Sequence, residues 1–489
     1  MDRLSTIATP VRRDLEASMQ AVPAPLYASR RRVYPRKISG IWRTVKWGIL
    51  AVCLGLYYSA AWLRWDRGPN APDQAFLIDL PGRRAYFLDL EIWPQEVYYI
   101  TGLLILGAIG LFLATSLFGR VWCGYACPQT VWTDLFMLVE RWIEGDRNAR
   151  IRRDKGPVTT RKIALKGAKH AVWLLIAFAT GGAWVWYFND APTVTRDFFT
   201  GRAGAGVYFF VALFTATTYT LAGWAREQVC TYMCPWPRFQ AAMFDEHSFT
   251  VTYRSWRGEP RGAKRKEQSW EGRGDCIDCK ACVQVCPTGI DIRNGPQLEC
   301  ISCGLCVDAC NEIMGRIERP GGLIDWTTLA ADAAAARRET PVYRILRPRT
   351  VTYTALLVLV ASVMIAALAL RATVELNVLR DRSPQFVTLA DGAIRNGYTV
   401  KILNKTRDVV AYRIRVDGLS GATLAAPESA PSAGMIEVSV GPDSVGSFPV
   451  LVRVERRSLI DKFQKVTFSI VDPAGRVVAR RSTVFAGPG

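Results

Sequence analysis

The sequence predicts a multi-domain membrane protein with a five-helix transmembrane bundle, a cysteine-rich domain and a C-terminal β-sandwich. Three observations support this fold class. Five apolar stretches alternate with segments rich in Lys and Arg, eight of the thirteen cysteines crowd into residues 276–310, and residues 372–489 alternate apolar with polar side chains. A chain of 489 residues is also long enough that several domains are expected.

Each apolar stretch is long enough to cross a bilayer as a helix, because about 30 Å of hydrocarbon takes about 20 residues. Trp and Tyr cluster at the ends of the stretches, as they do at membrane–water interfaces. A buried helix of a soluble core is the alternative for any single stretch, but five in one chain favour membrane spans. The stretches are Trp47–Leu63, Val97–Phe118, His170–Phe188, Gly204–Trp224 and Thr350–Leu370.

The net charge of +19 is distributed unevenly along the chain. Lys and Arg concentrate in residues 1–46, 119–169 and 225–349, whereas the connections 64–96 and 189–203 contain Arg only. Loops with an excess of basic residues remain in the cytoplasm, so we expect these three segments on the cytoplasmic side of a bacterial inner membrane. The distribution explains the charge through the membrane and its lipid, without a nucleic-acid partner.

Residues 372–489 contain no cysteine and read as a β-domain. The stretches Tyr398–Ile402, Ile436–Val440 and Val466–Ile470 alternate in the way of strands that are buried on one face. About seven such strands, separated by turn signals, favour an immunoglobulin-like sandwich. A β-domain of another topology is the alternative.

The predicted organisation has five parts. They are a basic cytoplasmic arm (1–46), transmembrane helices 1–4 with a cytoplasmic loop at 119–169 (47–224), a cytoplasmic cysteine-rich domain (225–349), transmembrane helix 5 (350–370) and a periplasmic immunoglobulin-like domain (380–489).

The cysteine-rich stretch contains the run C-x2-C-x2-C-x3-C twice. Three thiolates two residues apart can surround one corner of an iron–sulfur cube, and the displaced fourth cysteine typically binds the other cluster. We therefore expect a ferredoxin-like domain with two 4Fe–4S clusters. The first cluster takes Cys276, Cys279, Cys282 and Cys310, and the second takes Cys300, Cys303, Cys306 and Cys286.

Structural zinc and disulfides are the alternatives for these eight cysteines. Zinc sites commonly use pairs of C-x2-C, so the eight thiolates could hold two zinc ions. The spacing of two, two and three residues, present twice, favours paired cubane clusters. Pro287 follows Cys286 as this pattern usually has it, whereas Asn311 follows Cys310.

Two further cysteine pairs follow the second and fourth apolar stretches. They have the form C-x3-C-P, and they are Cys123 with Cys127 and Cys230 with Cys234. Because residues i and i+4 share one helix face, each pair is expected to present two thiols together, as one four-thiol site or two dithiols. Soft thiolates favour Cu(I) and also bind zinc or iron. The alternative is that these cysteines are small buried hydrophobic residues.

Histidine supplies little to any metal site. Only His170 and His247 occur, and each reads as a structural residue. The chain has no second histidine pair, which excludes a transmembrane haem chain with two histidine ligands per haem.

At this point the sequence resembles the CcoG/FixG (RdxA) family, the accessory proteins of cbb3-type cytochrome oxidase. The resembling stretches include YPRKISG (34–40), PQEVYYITGLL (94–104), GRVWCGYACPQTVWTDLFMLVERWIEGDR (119–147) and REQVCTYMCPWPRFQAAMFD (226–245). LRDRSPQFVTLADGAIRNGYTVKILNKT (379–406) and the double cysteine run complete the resemblance. The family implies five spans, a cytoplasmic dicluster ferredoxin domain and an immunoglobulin-like C-terminal domain.

The resemblance also implies a role in oxidase assembly, as a copper reductase that converts Cu(II) to Cu(I). The eight ferredoxin cysteines would be cluster ligands, and Cys123, Cys127, Cys230 and Cys234 match the C-x3-C-P pairs of the family. Because these pairs and the clusters are predicted on one side of the membrane, our hypothesis is that the pairs hold copper as the substrate while it is reduced. The implied partners are membrane lipid, oxidase subunits or assembly factors, copper carriers and a cytoplasmic electron donor. The alternatives are a quinol-linked electron relay like the NapH and NosR proteins, and a non-enzymatic redox sensor or scaffold.

Overall fold

The protein is described here from a computed structural model that covers residues 32–69, 71–264, 268–426 and 429–488. Most of the predicted basic arm lies outside these described residues. Within them, five helices are long and apolar enough to cross a membrane, which confirms the predicted five-span class. These spans are Ile41–Trp62, Pro94–Phe118, Thr160–Trp186, Ala205–Ala225 and Pro348–Ala369.

The α-helices of the described residues are numbered α1 to α14. They are α1 Ile41–Ser59, α2 Tyr98–Phe118, α3 Val121–Tyr125, α4 Pro128–Glu144, α5 Arg147–Lys155, α6 Thr160–Trp186, α7 Ala191–Phe199, α8 Ala205–Thr218, α9 Trp236–Met243, α10 Ser255–Gly258, α11 Ala281–Val285, α12 Leu305–Arg316, α13 Leu329–Ala336 and α14 Pro348–Ala369. Two π-helical turns, Tyr219–Ala225 and Val229–Met233, follow α8.

Two spans begin six or more residues earlier than predicted from the sequence. The first begins at Ile41 instead of Trp47, and the third begins at Thr160 instead of His170. In both cases basic residues extend the helix beyond its apolar stretch. The side chain of Lys46, which was assigned to the arm, is buried inside the protein.

Successive spans run in opposite directions, so their ends gather on two faces. At one end Arg347, just before α14, donates a hydrogen bond from Nη2 to the carbonyl of Ser116 near the end of α2, at 2.8 Å. The cysteine-rich domain packs on this end, which we call the cluster face. The opposite end carries the sandwich and is called the sandwich face.

The segment 119–169, which was predicted as a loop, is largely helical and forms α3, α4, α5 and the start of α6. Its carboxylates are buried and paired with basic residues. Glu140 lies 2.7 Å from Arg150, 3.0 Å from Arg226 and 3.7 Å from Lys169. Because a buried charge is tolerated only with partners, this network ties α4, α5 and α6 to the end of the fourth span.

The cysteine-rich domain has a small framework of its own. Strand β4 (Phe249–Tyr253) pairs antiparallel with β5 (Ile324–Thr328), and helices α11 and α12 follow the two cysteine loops. The domain reaches the membrane helices through Trp326, which stacks on Trp42 of α1 at 5.4 Å between ring centroids.

The sandwich face holds two β-structures, a small sheet and the C-terminal domain. The strands of the small sheet are β1 Phe76–Asp79, β2 Arg84–Phe87 and β3 Leu90–Ile92. The strands of the C-terminal domain are β6 Val374–Arg380, β7 Val387–Thr388, β8 Ile394–Asn404, β9 Val410–Asp417, β10 Thr423–Ala426, β11 Ser429–Ala433, β12 Met435–Val440, β13 Ser444–Val454, β14 Phe463–Val471 and β15 Val477–Ala486.

The C-terminal domain is a sandwich of two sheets, as predicted. One sheet has the order β11-β10-β13-β8-β6 with β7 beside β8, and the other has the order β12-β9-β14-β15. Buried residues such as Tyr398, Ile414 and Phe468 fill the space between the sheets. The domain begins at Val374, so the predicted start at residue 380 is too late by most of one strand.

Candidate functional site

The two cysteine loops, around Cys279 and Cys303, have similar backbone conformations. The first turns through left-handed conformations at Asp278 and Lys280, and the second does so at the equivalent positions Ser302 and Gly304, with φ between 50° and 72°. In each loop these residues flank the middle cysteine. These matched turns give both loops the tight curvature that the spacing of their cysteines predicts.

The first three cysteines are joined by the last one of the second run. Burial raises the pKa of the Cys310 thiol to about 12, and the neighbouring thiols add to the rise. Those neighbours are Cys282, Cys276 and Cys279. The structure therefore brings together the four side chains predicted for the first cluster.

The second group is arranged in the same crossed manner. Burial raises the pKa of the Cys306 thiol well above its ordinary value, and four thiols add to that effect. In decreasing order they are Cys303, Cys300, Cys286 and Cys282. The first three are the partners predicted for the second cluster, and Cys282 lies between the two groups.

All thirteen cysteines fall within the described residues, and none forms a disulfide. In the same residues, no group of three or more His, Cys, Asp or Glu side chains is arranged to hold a single metal ion. The four ligand sulfur atoms of a cubane cluster lie farther apart than the ligands of one ion, because each thiolate binds a different iron. The crossed groups of four free thiols fit two 4Fe–4S clusters in this way.

A buried cation supports the fit at the second group. Lys46 is 1% exposed, and its Nζ has no hydrogen-bond partner in the structure. The Lys46 ammonium counteracts the rise that burial causes in the pKa of Cys303, so the two groups are electrostatic neighbours. The sulfur atoms of a cluster at this position would offer acceptors to Nζ.

The four C-x3-C-P cysteines also meet, although they belong to different spans. Burial raises the pKa of the Cys230 thiol to about 12, and three other thiols contribute. They are Cys127, Cys123 and Cys234. The prediction that both pairs gather near one another agrees with this arrangement, although the thiols are not set around one ion.

The helical geometry expected for each pair is wrong. Cys123 lies in the short helix α3, whereas Cys127 has extended backbone before Pro128, which begins α4. Cys230 lies in a π-helical turn that ends before Cys234. Because proline cannot donate the hydrogen bond that would continue a helix, each pair bends around a helix break instead of following one helix face.

The C-x3-C-P site packs directly on the loop of the second cluster. The hydroxyl of Tyr125 donates to the carbonyl of Cys303 at 3.0 Å. A Cβ atom on Gly124 would lie 2.6 Å from the carbonyl oxygen of Ile301, which is closer than packing allows. Cys123 and Cys303 belong to one buried cluster of side chains. The four thiols are therefore adjacent to the second cluster group.

Arg120 and Gln240 complete this contact. Arg120 donates from Nη1 to the carbonyl of Cys300 at 2.9 Å and from Nε to Oε1 of Gln240 at 3.2 Å. The thiol of Cys123 donates to the same Gln240 oxygen at 3.2 Å. Neither residue was predicted from the sequence, where the Gly119-Arg120 step directly after an apolar span was the available signal.

Comparison with known proteins agrees with this architecture. Residues 225–329 match a family model described as a 4Fe-4S dicluster domain, and residues 100–146 match one described as a 4Fe-4S binding domain. Residues 364–488 match the family of the IG-like fold at the C-terminal of FixG.

Similar whole chains cover nearly the same length. The nitrogen fixation protein FixG of Rhizobium meliloti is 46% identical over 96% of this chain and 95% of its own. Protein RdxB of Cereibacter sphaeroides is 55% identical over 80% of this chain and 83% of its own. The ferredoxin-type protein NapH of Haemophilus influenzae is more distant, at 24% identity over 43% of this chain and 66% of its own.

Among solved structures, a FixG-related protein from Vibrio parahaemolyticus is 21% identical and covers 24% of this chain and 100% of its own, with a TM-score of 0.21. Fold and site together define an iron–sulfur protein of the membrane. Given the identity and coverage of these relatives, the chain belongs to the FixG/RdxA family.

Proposed function

We propose that this protein transfers electrons to copper, reducing Cu(II) to Cu(I) during assembly of cbb3-type cytochrome oxidase. The observation that supports this most is the contact between the Cys123–Cys127 segment and the loop of the second cluster. In the proposal, the eight ferredoxin cysteines are the ligands of two 4Fe–4S clusters. When bound, these clusters accept and release one electron at a time, which matches the one electron that each Cu(II) takes up.

The C-x3-C-P thiols are proposed to bind copper as the substrate. Thiolates are soft ligands and stabilise the product Cu(I) more than Cu(II). Because burial holds the pKa of Cys230 near 12, this thiol must lose its proton when copper binds. Gln240 accepts a hydrogen bond from the Cys123 thiol in the free protein and fixes the direction of that side chain.

The arrangement across the membrane is part of the proposal. Basic residues surround the cluster face, so we place the clusters and the copper-binding thiols in the cytoplasm and the sandwich in the periplasm. A cytoplasmic reductant would supply the electrons. Oxidase subunits, assembly factors or copper carriers would meet the protein on the two sides.

The experiment compares single cysteine variants of the purified, dithionite-reduced protein. Cys123→Ser and Cys230→Ser are expected to retain the iron–sulfur absorbance and to lose at least tenfold in the rate of Cu(I) formation, followed with a Cu(I)-specific chromophore. Cys53→Ser is the matched control, since Cys53 lies alone in α1. Unchanged rates in the first two variants would refute the copper site.

A quinol-linked relay is the second candidate, and two observations favour it. The chain resembles the ferredoxin-type protein NapH. At the cluster face, a cavity of about 480 Å³ is lined by residues that include His170, Trp224 and Glu227. Nδ1 of His170 lies 2.9 Å from the Tyr219 hydroxyl. Reduction of the clusters in membranes would then depend on quinol, and added quinol would bleach the iron–sulfur absorbance.

A further inference from the structure

The ammonium group of Lys46 is buried without a hydrogen-bond partner. The residue lies in α1, is 1% exposed, and its Nζ donates no hydrogen bond. Its nearest carboxylate is Asp134, at 3.8 Å, which is beyond hydrogen-bond distance. Lysine is almost never fully buried unless it is paired, so the lack of an acceptor calls for an explanation.

Asp134 does not neutralise Lys46, because other cations already engage it. Nη1 of Arg43 donates to both carboxylate oxygens, at 2.8 and 3.1 Å. Arg141 lies 3.9 Å from the same carboxylate. Three cations thus surround one carboxylate, and the site retains a net positive charge inside the protein.

This charge lies beside the loop of the second cluster. Trp42, one helical turn before Lys46, lies against Gly304, where an added Cβ would be 2.7 Å from the indole Cγ. Residues four apart share one helix face, so Lys46 is on the side of α1 that meets this loop. The influence of its charge on the Cys303 thiol agrees with that placement.

The surroundings of the first cluster are different. One cation there is Arg293, whose guanidinium lies 2.5 Å from Asp278 and 2.6 Å from Asp291. Arg257 and Arg319 are paired with the buried Asp275, next to Cys276. These cations beside the first cluster group have carboxylate partners at hydrogen-bond distance, whereas Lys46 beside the second has no hydrogen-bond acceptor.

We propose that Lys46 is a positioning residue for electron transfer, which raises the reduction potential of the second cluster. A cluster becomes more negative when it accepts an electron, and a buried cation stabilises that form more strongly than an exposed one. The charge of Lys46 therefore favours an electron at the cluster that adjoins the C-x3-C-P thiols. The direction of transfer rests on the proposed function, whereas the effect on the potential does not.

The test is an anaerobic redox titration of the full-length protein, followed by electron paramagnetic resonance. In Lys46→Met, one of the two midpoint potentials is expected to fall, with at least a tenfold smaller ratio of reduced to oxidised cluster at a fixed potential. For one electron this ratio corresponds to about 59 mV. Lys46→Arg keeps the charge and is expected to retain the original potential.

Lys169→Met is the matched control, because Lys169 is equally buried but lies 3.2 Å from Glu144 in α4. It should leave both potentials unchanged. Cys279→Ala, which removes a ligand of the first cluster, identifies the remaining signal as the second cluster. In that background the Lys46→Met shift should persist.

Equal potentials in Lys46→Met and the unaltered protein, with both clusters present, would overturn the inference. An equal shift in Lys169→Met would do the same. If Lys46→Met does not accumulate, Lys46→Gln and Lys46→Arg provide the same comparison of charge. A shift in potential without any copper reduction by the unaltered protein would overturn the proposed function and leave the assignment of Lys46 standing.

Discussion

The membrane helices contact the cysteine-rich domain and the sandwich in different ways. On the cluster face, backbone approaches backbone, as where Gly124 meets Ile301, and aromatic rings stack, as where Trp42 meets Trp326. On the sandwich face, the contact is made by long polar side chains. Lys405 of the sandwich reaches Glu96 at the start of the second span, at 2.7 Å.

This difference determines which distances between the domains are fixed. Close-packed backbone cannot shift without losing its packing, so the C-x3-C-P thiols are held at one distance from the second cluster group. A contact between long, rotatable side chains allows more movement. We therefore expect the redox site to be sensitive to changes at the cluster face and indifferent to changes at the sandwich face.

The largest effect is expected from Gly124→Ala. The added Cβ would lie 2.6 Å from the Ile301 carbonyl oxygen and 3.2 Å from Cα of Cys303, so the two loops must separate. Overpacking of this kind costs about 1–3 kcal/mol. The rate of copper reduction by the dithionite-reduced protein should fall at least tenfold. Gly107→Ala, in an open position of α2, is the control and should keep the full rate.

A buried ion pair of the sandwich face gives the next effect. Glu96→Gln removes one of two carboxylates near Lys405, the other being Glu375 at 2.6 Å. Loss of one partner of a buried pair costs about 3 kcal/mol, so limited proteolysis should release the sandwich more readily. Copper reduction should remain within twofold. Asp89→Asn, which affects an exposed ion pair with Arg407, is the control. It should change neither the rate of proteolysis nor the rate of copper reduction.

Asp308→Ala should have a smaller effect, on the docking of the ferredoxin domain. The Asp308 carboxylate accepts the backbone N–H of Arg43 at 2.8 Å and that of Trp42 at 3.3 Å, so it caps α1 from another domain. Losing such a cap costs about 1 kcal/mol. The temperature at which the iron–sulfur absorbance is lost should fall by a few degrees. In Asp308→Asn, which keeps an acceptor oxygen, this temperature should fall less. An equal fall in the two variants would contradict the role of Asp308 as a cap.

The smallest effect is a pH dependence of cluster loading. Burial raises the pKa of Cys282, Cys300 and Cys310 to about 12. Only the thiolate binds iron, so reconstitution of the cluster-free protein should be faster at pH 8.5 than at pH 7.

The same raised pKa values mean that alkaline pH, from about 9 upwards, destabilises the cluster-free domain. The sandwich has no cysteine, and its thermal unfolding should not change with loading.

Much of this architecture could be predicted from the sequence. The five spans follow from apolar length, and the strand positions around Tyr398, Ile436 and Val466 follow from alternation. The crossed grouping of the ferredoxin thiols follows from spacing. These features are local along the chain, so a periodic pattern suffices to find them.

The rest depends on contacts between distant parts of the chain. Lys46 reads as the last basic residue before a span, and only the packing of α1 on the Cys303 loop shows that it is buried there. The burial of Glu140 within a segment that reads as a loop needs Arg150 and Arg226. A pattern within one segment contains no information about such partners.

The central claim is that copper bound by the thiols beside the second cluster receives the electron of that cluster. The direct measurement is an anaerobic stopped-flow experiment on the full-length protein, reduced with dithionite and freed of excess reductant. The protein is mixed with Cu(II) and a Cu(I)-specific chromophore. Re-oxidation of the iron–sulfur absorbance at the same rate as Cu(I) formation, with one Cu(I) per electron lost, is the predicted result. Clusters that stay reduced while Cu(II) persists would contradict the claim.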